Sequence, residues 1–480
     1  MASVLVIGSG GRESAISWSL SRSPSVGRVY VAPGNGGSDA HKVERVRNLD
    51  VQDFAKVTRF CKDKNVTLVV VGPEVPLVEG MADELARERI KCFGPSKMAA
   101  RLEGSKAFSK DFMVRNGIPT ADHRNFQGEK EYSAALTYVR EATKHHKVVV
   151  KASGLAAGKG VLLPETCDEA VHAIKTIMVD NAFGKEAGEE VVVEEFMEGP
   201  EVSVFAFCDG TNIHLLPPSQ DHKRIFEGDK GPNTGGMGAY CPAKVLTPEM
   251  QEMVKVEIVQ KTIDAAKKEG FPFVGLLYTG LMLTSSGPKV LEYNCRFGDP
   301  ETQAVLLLLQ SDLYAIMNAC ASHNLASAGE IRFYEGMFAA TVVAASEGYP
   351  GAYPKGREIL GIDRAESESG STLVKVFQAG TKMGDDGNTY TSGGRVLVVS
   401  ARATTLKKAL DAAYAGLRKI SFEGMQYRKD IGHQQLEDGC SVQAIVNQVR
   451  SVLEDEKNVP YLVGAAAVLI TGVGMLLRKK

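Results

Sequence analysis

Residues 3–7, SVLVI, make a continuous apolar run that halts at GSGGRE; apolar positions then recur at helical spacing until a second run, RVYVA, at 28–32. A short apolar run bounded by a turn signal reads as a buried strand, and a period of about 3.6 residues reads as a helix. The chain therefore opens as strand, turn, helix, strand. TLVVVG at 67–72 and the helix-like PLVEGMADELARER at 76–89 repeat the alternation. Residues 1–104 are expected to form a doubly wound parallel sheet, the first part of an α/β protein. The glycine segments, 8–13, PGNGG at 33–37 and GPE at 72–74, fall at the strands' carboxyl ends, where such sheets bind ligands.

A helical segment, SKAFSKDFMVRNG at 105–117, closes on Gly117 and Pro119 and opens a second region. Its expected strands are KVVVK (147–151), EVVVEEF (190–196), VSVFAFCDG (202–210), FVGLLYTGLMLT (273–284) and PKVLEYN (288–294). The polar, glycine-rich stretch 220–240 is expected as a long functional loop. A helix-rich part follows at 247–270, and another helix begins after Pro300. From 331 to 436, FAATVVAAS, STLVKVF and GGRVLVVSA accompany the helical LKKALDAAYAGLRKI, a small mixed α/β domain. Residues 437–460 read as a linker. The uncharged run 461–477, YLVGAAAVLITGVGMLL, precedes Arg478, Lys479 and Lys480. Its length is at the lower limit of a bilayer span, so a C-terminal hydrophobic helix is expected as a transmembrane tail anchor, suited to an intracellular membrane such as the mitochondrial outer membrane, with a cytosolic body.

Charge narrows the function classes. With 56 Lys and Arg against 58 Asp and Glu, the net charge is -2, so no basic excess is present to bind nucleic acid. Eight cysteines without a C-x-x-C pair suggest neither a zinc site nor a disulfide framework. MASVLVIGSGGRE has no basic segment ahead of its apolar run and reads as a first strand, not a signal peptide.

Any bound anion must then be met locally. GSGGRE has Glu13 where G-x-G-x-x-G needs its third glycine, so a dinucleotide site is disfavoured, although the backbone N–H groups of a helix start still suit a sugar phosphate. KASGLAAGKGV at 151–161 places Lys151 at a strand end and Lys159 in a flexible loop that could fold over polyphosphate. VEEFMEGPE at 193–201 offers a backbone hinge for an adenine edge, with Glu201 near a ribose. In VLEYNCRFGDPETQ at 290–303, Glu292 and Asn294 project from one strand face toward a single hard cation. Arg296 would balance phosphate charge beside them.

Together these motifs, with QDHKR, GPNTGGMGAY, TSGGRVL and YRKDIG, resemble the ATP-grasp carboxylate–amine ligases, and more closely the glycinamide ribonucleotide synthetase family, from residue 3 to about 433. The resemblance implies ATP-grasp central domains over 105–330 with a lid at about 122–195. It implies ligation of glycine to 5-phosphoribosylamine through glycyl phosphate in purine synthesis, with ATP as a substrate and Mg²⁺ or Mn²⁺ held by Glu292 and Asn294. By the same resemblance, Lys106, Lys151 and the loop Ala156, Ala157, Gly158, Lys159 and Gly160 would bind ATP phosphates; Glu195, Met197 and Glu201 would bind the nucleoside. Arg296, Lys151 and Asp221 would carry the catalysis. Gly10, Gly11, Arg12, Glu13, Asn35, Gly36, Lys223, Asn233 and Asp299 would bind the substrates. Ser14 and Gln378 stand where the family pattern has histidines. The rival readings are an ATP-grasp ligase with another carboxylate or amine, and a membrane-tethered, non-catalytic scaffold; intact Glu292, Asn294 and Arg296 speak against the scaffold.

Overall fold

The structure is a computed structural model that describes residues 1–156 and 160–436. Residues Met1–Gly432 form one compact unit; of a second, His433–Lys480, the described part is the short helix His433–Leu436. The run 461–477 and the linker 437–460 lie outside the described residues, among which no helix is long and apolar enough to cross a membrane.

In the N-terminal sheet the strands Val43–Arg45, Val26–Pro33, Ala2–Gly8, Val66–Val71 and Cys92–Phe93 lie side by side in that order, all parallel. Strand order reverses beside Ala2–Gly8, so the chain leaves two neighbouring strand ends, Gly8 and Gly72, in opposite directions and opens a crevice there. The helix expected over 76–89 is two helices, Glu74–Glu79 and Met81–Arg87. Gly80, at φ +103, takes a left-handed conformation that terminates the first and re-aims the second.

Two four-stranded antiparallel sheets make the centre. One orders His123–Gln127, Glu190–Glu195, Val148–Ala152 and Val161–Leu162; the other orders Ile213–Leu215, Glu201–Asp209, Val274–Thr284 and Gly287–Asn294. The first has a hydrophobic core of its own, in which Phe126, Val150 and Val193 pack on Val139 and Ile174 of helices Tyr132–Ala142 and Cys167–Met178. The second shares its core with the N- and C-terminal sheets: Val69, Leu281, Val290 and Val399 belong to one cluster.

The stretch 220–240 is not a loop. It contains the strands Gln220–Asp221, Arg224–Phe226, Lys230–Asn233 and Gly238–Cys241; the last pairs with Phe338–Ser346 and the first pairs with the last, so the two extend the C-terminal sheet, while the middle two form a hairpin. Its glycines and polar residues hide the strands because the strands are short and serve as a sheet edge. The C-terminal region thus borrows part of its sheet from the central one. Arg428, 1% exposed, fastens the intervening hairpin: it pairs with Asp229 at 2.7 Å and Asp430 at 2.8 Å, and donates to the Arg224 carbonyl at 3.1 Å. Arg428→Met should lower unfolding free energy by roughly 2–3 kcal/mol, less than a wholly buried broken pair because Asp229 stays 41% exposed. Urea denaturation of the two proteins measures the difference.

Candidate active site

The cleft between the two central sheets gathers the basic residues. Ser105 caps the helix Lys106–Arg115 by accepting from the Phe108 N–H at 3.1 Å, and the helix start is tied to the strand end by Lys106 N donating to Ser153 O at 2.9 Å. Lys106 Nζ reaches Gly154 O at 3.3 Å. One turn on, Lys110 is 2% exposed and pairs with Glu194 Oε2 at 3.0 Å, the same oxygen that Lys151 reaches at 2.8 Å. Burial lowers the Lys106 ammonium against the pull of Glu292, and it pushes Lys110 down to about 8 against the pull of Glu194. Burial alone would raise Glu194; Lys151 and Lys110 hold it below the usual carboxylate range. Two lysines against one carboxylate leave this buried cluster net cationic, as a polyphosphate site requires. Ala156 and Gly160 flank 157–159, so Ala157, Gly158 and Lys159 lie outside the described residues; the loop's ends are drawn together by Ala152 N donating to Gly160 O at 2.8 Å.

At the hinge, Met197 packs with Ala121, Met282 and Leu291 in a small apolar cluster, and among the described residues its N–H has no partner. Glu195 pairs with Lys289 at 3.0 Å, and Glu201 with Lys223 at 2.5 Å, so the carboxylate assigned to a ribose already holds a lysine.

On the opposite wall, the pairing of Gly287–Asn294 with Val274–Thr284 slips between Val290 and Glu292, leaving Leu291 as a bulge. Before the slip Pro288 and Val290 are buried; after it Tyr293 is. The bulge thus turns Glu292 onto the face of Lys289 and Asn294, an office bulges often serve near active sites. Neither Glu292 nor Asn294 makes a side-chain hydrogen bond or ion pair among the described residues, so both oxygens are available, and the pair fits one hard divalent cation. Arg296, two residues on, spans Glu74 at 3.2 Å and Glu103 at 2.7 Å. Its charge is matched by two carboxylates, and it tethers the strand end to the N-terminal domain.

The N-terminal crevice is lined by carboxylates. Glu13 accepts from Gly10 N at 2.5 Å and Arg12 Nε at 2.6 Å, and Asp299 Oδ2 accepts from Arg12 N at 3.3 Å. Glu13 fits only because the strand ends are glycine: a Cβ on Gly72 would stand 1.9 Å from its Oε1. Asp299 is in turn held by Arg395 at 3.6 Å and Gln303 at 2.8 Å. Gly11 packs against Gln303. A helix start expected to meet a phosphate therefore presents anions, which suit hydroxyls and an amine. Asn35 and Gly36 join domains: Asn35 Nδ2 donates to Ser9 O, Ser14 Oγ and Gln378 O at 2.9, 2.9 and 2.7 Å, and Gly36 N donates to Thr381 Oγ1 at 3.1 Å. Ser14 Oγ also donates to Gln378 O, at 2.6 Å. The two departures from the family pattern are thus in contact.

Between these centres, Asp221 sits near Lys223, Glu301 and Glu201; burial first, then the two glutamates, raise it to about 7 against the pull of Lys223. Asn233 faces Arg224 across its hairpin, away from any bond to this group. Sequence reasoning missed Lys110, Glu103, Glu301 and Arg395. Lys110 was visible in outline, four residues after Lys106 and hence on the same helix face; the other three are brought in by chain-distant contacts.

Residues 2–103 match the phosphoribosylglycinamide synthetase N domain, 104–302 its ATP-grasp (A) domain, and 339–434 its C domain. The chain belongs to the phosphoribosylglycinamide synthetase family. It is 48% identical over 436 residues to a phosphoribosylamine–glycine ligase of Synechocystis, covering 90% of this chain and 100% of that protein. It is 50% identical to the bifunctional purine biosynthetic protein ADE1 of Schizosaccharomyces pombe, covering 90% of this chain and 53% of the relative, and so spans about half the length of such multifunctional relatives. The crystal structure of the Thermotoga maritima phosphoribosylamine–glycine ligase superposes with a TM-score of 0.74 at 33% identity, covering 90% of this chain and 100% of that one. A biotin carboxylase from Campylobacter jejuni, at 15% identity and TM-score 0.66, shares the fold. Within the family's architecture, the cleft lies in the ATP-grasp domain and the carboxylate-lined crevice where the N domain meets the others.

Asp221 supplies a pH test. Its folded-state affinity for protons exceeds that of the unfolded chain, so its contribution to stability is present below about pH 4 and is lost as pH rises toward 7. Asp221→Asn, which cannot ionise, should gain stability relative to the parent as pH rises from 5 to 8. Thermal melts of both proteins across that range read the crossing trend; parallel curves would remove the assignment.

Proposed function

We propose that this chain ligates glycine to 5-phosphoribosylamine with ATP. The observation that carries the reading is the pair of opposed walls in one cleft: the buried cationic cluster Lys106, Lys110 and Lys151 on one side, and the unpartnered oxygens of Glu292 and Asn294 on the other. Family membership and full coverage of the Synechocystis ligase support the choice of substrates.

Adenine would lie on the Met197 cluster against the free N–H of the hinge, with the phosphates over Lys106 and Lys151. Mg²⁺ or Mn²⁺ held by Glu292 and Asn294 would neutralise phosphate charge there. A glycine carboxylate oxygen attacks the γ-phosphorus, the bond to ADP breaks, and glycyl phosphate forms. The amine nitrogen of phosphoribosylamine then attacks the acyl carbon and phosphate leaves. Because the amine is already nucleophilic, the protein's task is positioning and charge balance. The nitrogen gives up one proton as the amide forms, and Asp221, raised toward neutrality, is the group suited to accept it. Glu13 and Asp299 would receive ribose hydroxyls in the crevice, which explains anions at a helix start.

ADP release by the purified chain with ATP, Mg²⁺ and glycine should depend on added 5-phosphoribosylamine; turnover indifferent to it would refute the substrate assignment. Glu292→Ala should lower turnover at least about 100-fold by removing a metal ligand while leaving the melting temperature nearly unchanged. Full activity in that variant would sink the cation site.

A further inference from the structure

Lys110 has a position that phosphate binding alone does not explain. Its ammonium donates in two directions at once: to Glu194 Oε2, shared with Lys151, and to Thr120 Oγ1 at 2.7 Å. Thr120 Oγ1 in turn donates to the Val290 carbonyl at 2.7 Å, and Val290 N donates to Pro119 O at 2.8 Å. Val290 is the last residue before the Leu291 bulge that aims Glu292 into the cleft. One continuous polar chain therefore runs from Lys151, on a sheet with its own hydrophobic core, to the strand that carries Glu292 and Asn294, which belongs to a different core.

We propose that Lys110 is a positioning residue that fixes Lys151 relative to the strand bearing Glu292 and Asn294, so that phosphates and cation are gripped in register. This rests on the nucleotide reading above. Three features favour it over a plain packing role. The large cores of the two sheets are separate, and the small cluster of Ala121, Met197, Met282 and Leu291 that joins them is apolar and so non-directional, with no group that aligns Lys151 with Glu292. Lys110 and Glu194 are each buried at 2% exposure, where a charge is retained only if its partners are well made. And Glu194 Oε1 is buried without a hydrogen-bond partner among the described residues, while Oε2 meets both lysines, so Lys110 and Lys151 set where the carboxylate sits. Groups that orient first-contact ligands commonly change metal affinity by roughly 10–100-fold when removed.

The test is ADP binding by the full chain, measured by calorimetry with and without Mg²⁺. In the parent, Mg²⁺ should tighten ADP binding. Thr120→Val keeps every charge but cuts the link to Val290, so it should lose roughly tenfold of the Mg²⁺ enhancement, while metal-free affinity stays within about twofold. Thr120→Ser restores the hydroxyl and should restore the enhancement. Lys110→Met should lose both the enhancement and metal-free affinity, and adding Thr120→Val to it should cost no further enhancement, as expected for members of one chain. If Lys110→Met does not fold, the Thr120 pair carries the test alone. Thr120→Val with a lowered melting temperature but full Mg²⁺ enhancement would overturn the proposal and leave a packing role. No ADP binding by the parent would instead remove the nucleotide reading, and a parent indifferent to Mg²⁺ the cation site; the proposal falls with either.

Discussion

Everything in the central region depends on one separation: the sheet carrying Lys151 closes its own hydrophobic core, and the sheet carrying Glu292 shares the core of the rest of the protein. Apolar burial is non-directional and satisfies each side independently. Beside the small Met197 cluster, the cleft between them is governed by polar contacts, which are directional and few. Lys110, Thr120, Lys289 and the start of the helix Lys106–Arg115 are those contacts. On the proposed reading, a site that takes a highly charged nucleotide would gain from such an arrangement. Its walls can be adjusted without disturbing either core.

Charge is handled differently in the two halves of the site. In the cleft, Lys110 and Lys151 share the one carboxylate of Glu194 and burial weakens the hold of Lys106 and Lys110 on their protons, an imbalance that on the proposed reading a polyphosphate would complete. In the crevice, Glu13, Glu74, Glu103 and Asp299 are met by Arg12, Arg296 and Arg395. Arginine suits this setting because its guanidinium stays charged and bridges two carboxylates in a fixed plane. The arginines also join elements far apart in the chain, so the crevice that the N-terminal sheet opens at its strand reversal gets its full lining only through domain assembly.

Much of this was legible in the residues. Continuous apolar runs gave away the parallel strands because both faces of such a sheet are buried. The carboxylate–amide pair at 292 and 294 was readable because a strand alternates its faces. What escaped was non-local. Of the short strands in 220–240, Gly238–Cys241 finds its partner only in the distant Phe338–Ser346, the break at Gly80 depends on a backbone conformation that a helical pattern conceals, and Glu74, Glu103 and Asp299 meet their arginines only through contacts distant in the chain. The expectation of a sugar phosphate at the first helix start followed its usual physics; there Glu13 accepts from the Gly10 N–H and Asp299 from the Arg12 N–H, contacts that no local pattern announces.

The bulge at Leu291 has a bearing on how this strand can change over evolutionary time. Pro288 and Val290 face the core on one side of it, and Tyr293 does so on the other. Flattening the bulge with Leu291 kept would send Glu292 and Asn294 into the core, whereas deleting Leu291 would restore plain alternation and leave both on the cleft face. Length variation in this hairpin is therefore tolerable at the turn near Ser285 and Ser286, where no phase is kept, and excluded between Glu292 and Asn294, where losing Tyr293 would put the two on opposite faces. Related chains can be expected to differ in the size of that turn while holding the spacing from Glu292 to Asn294 fixed.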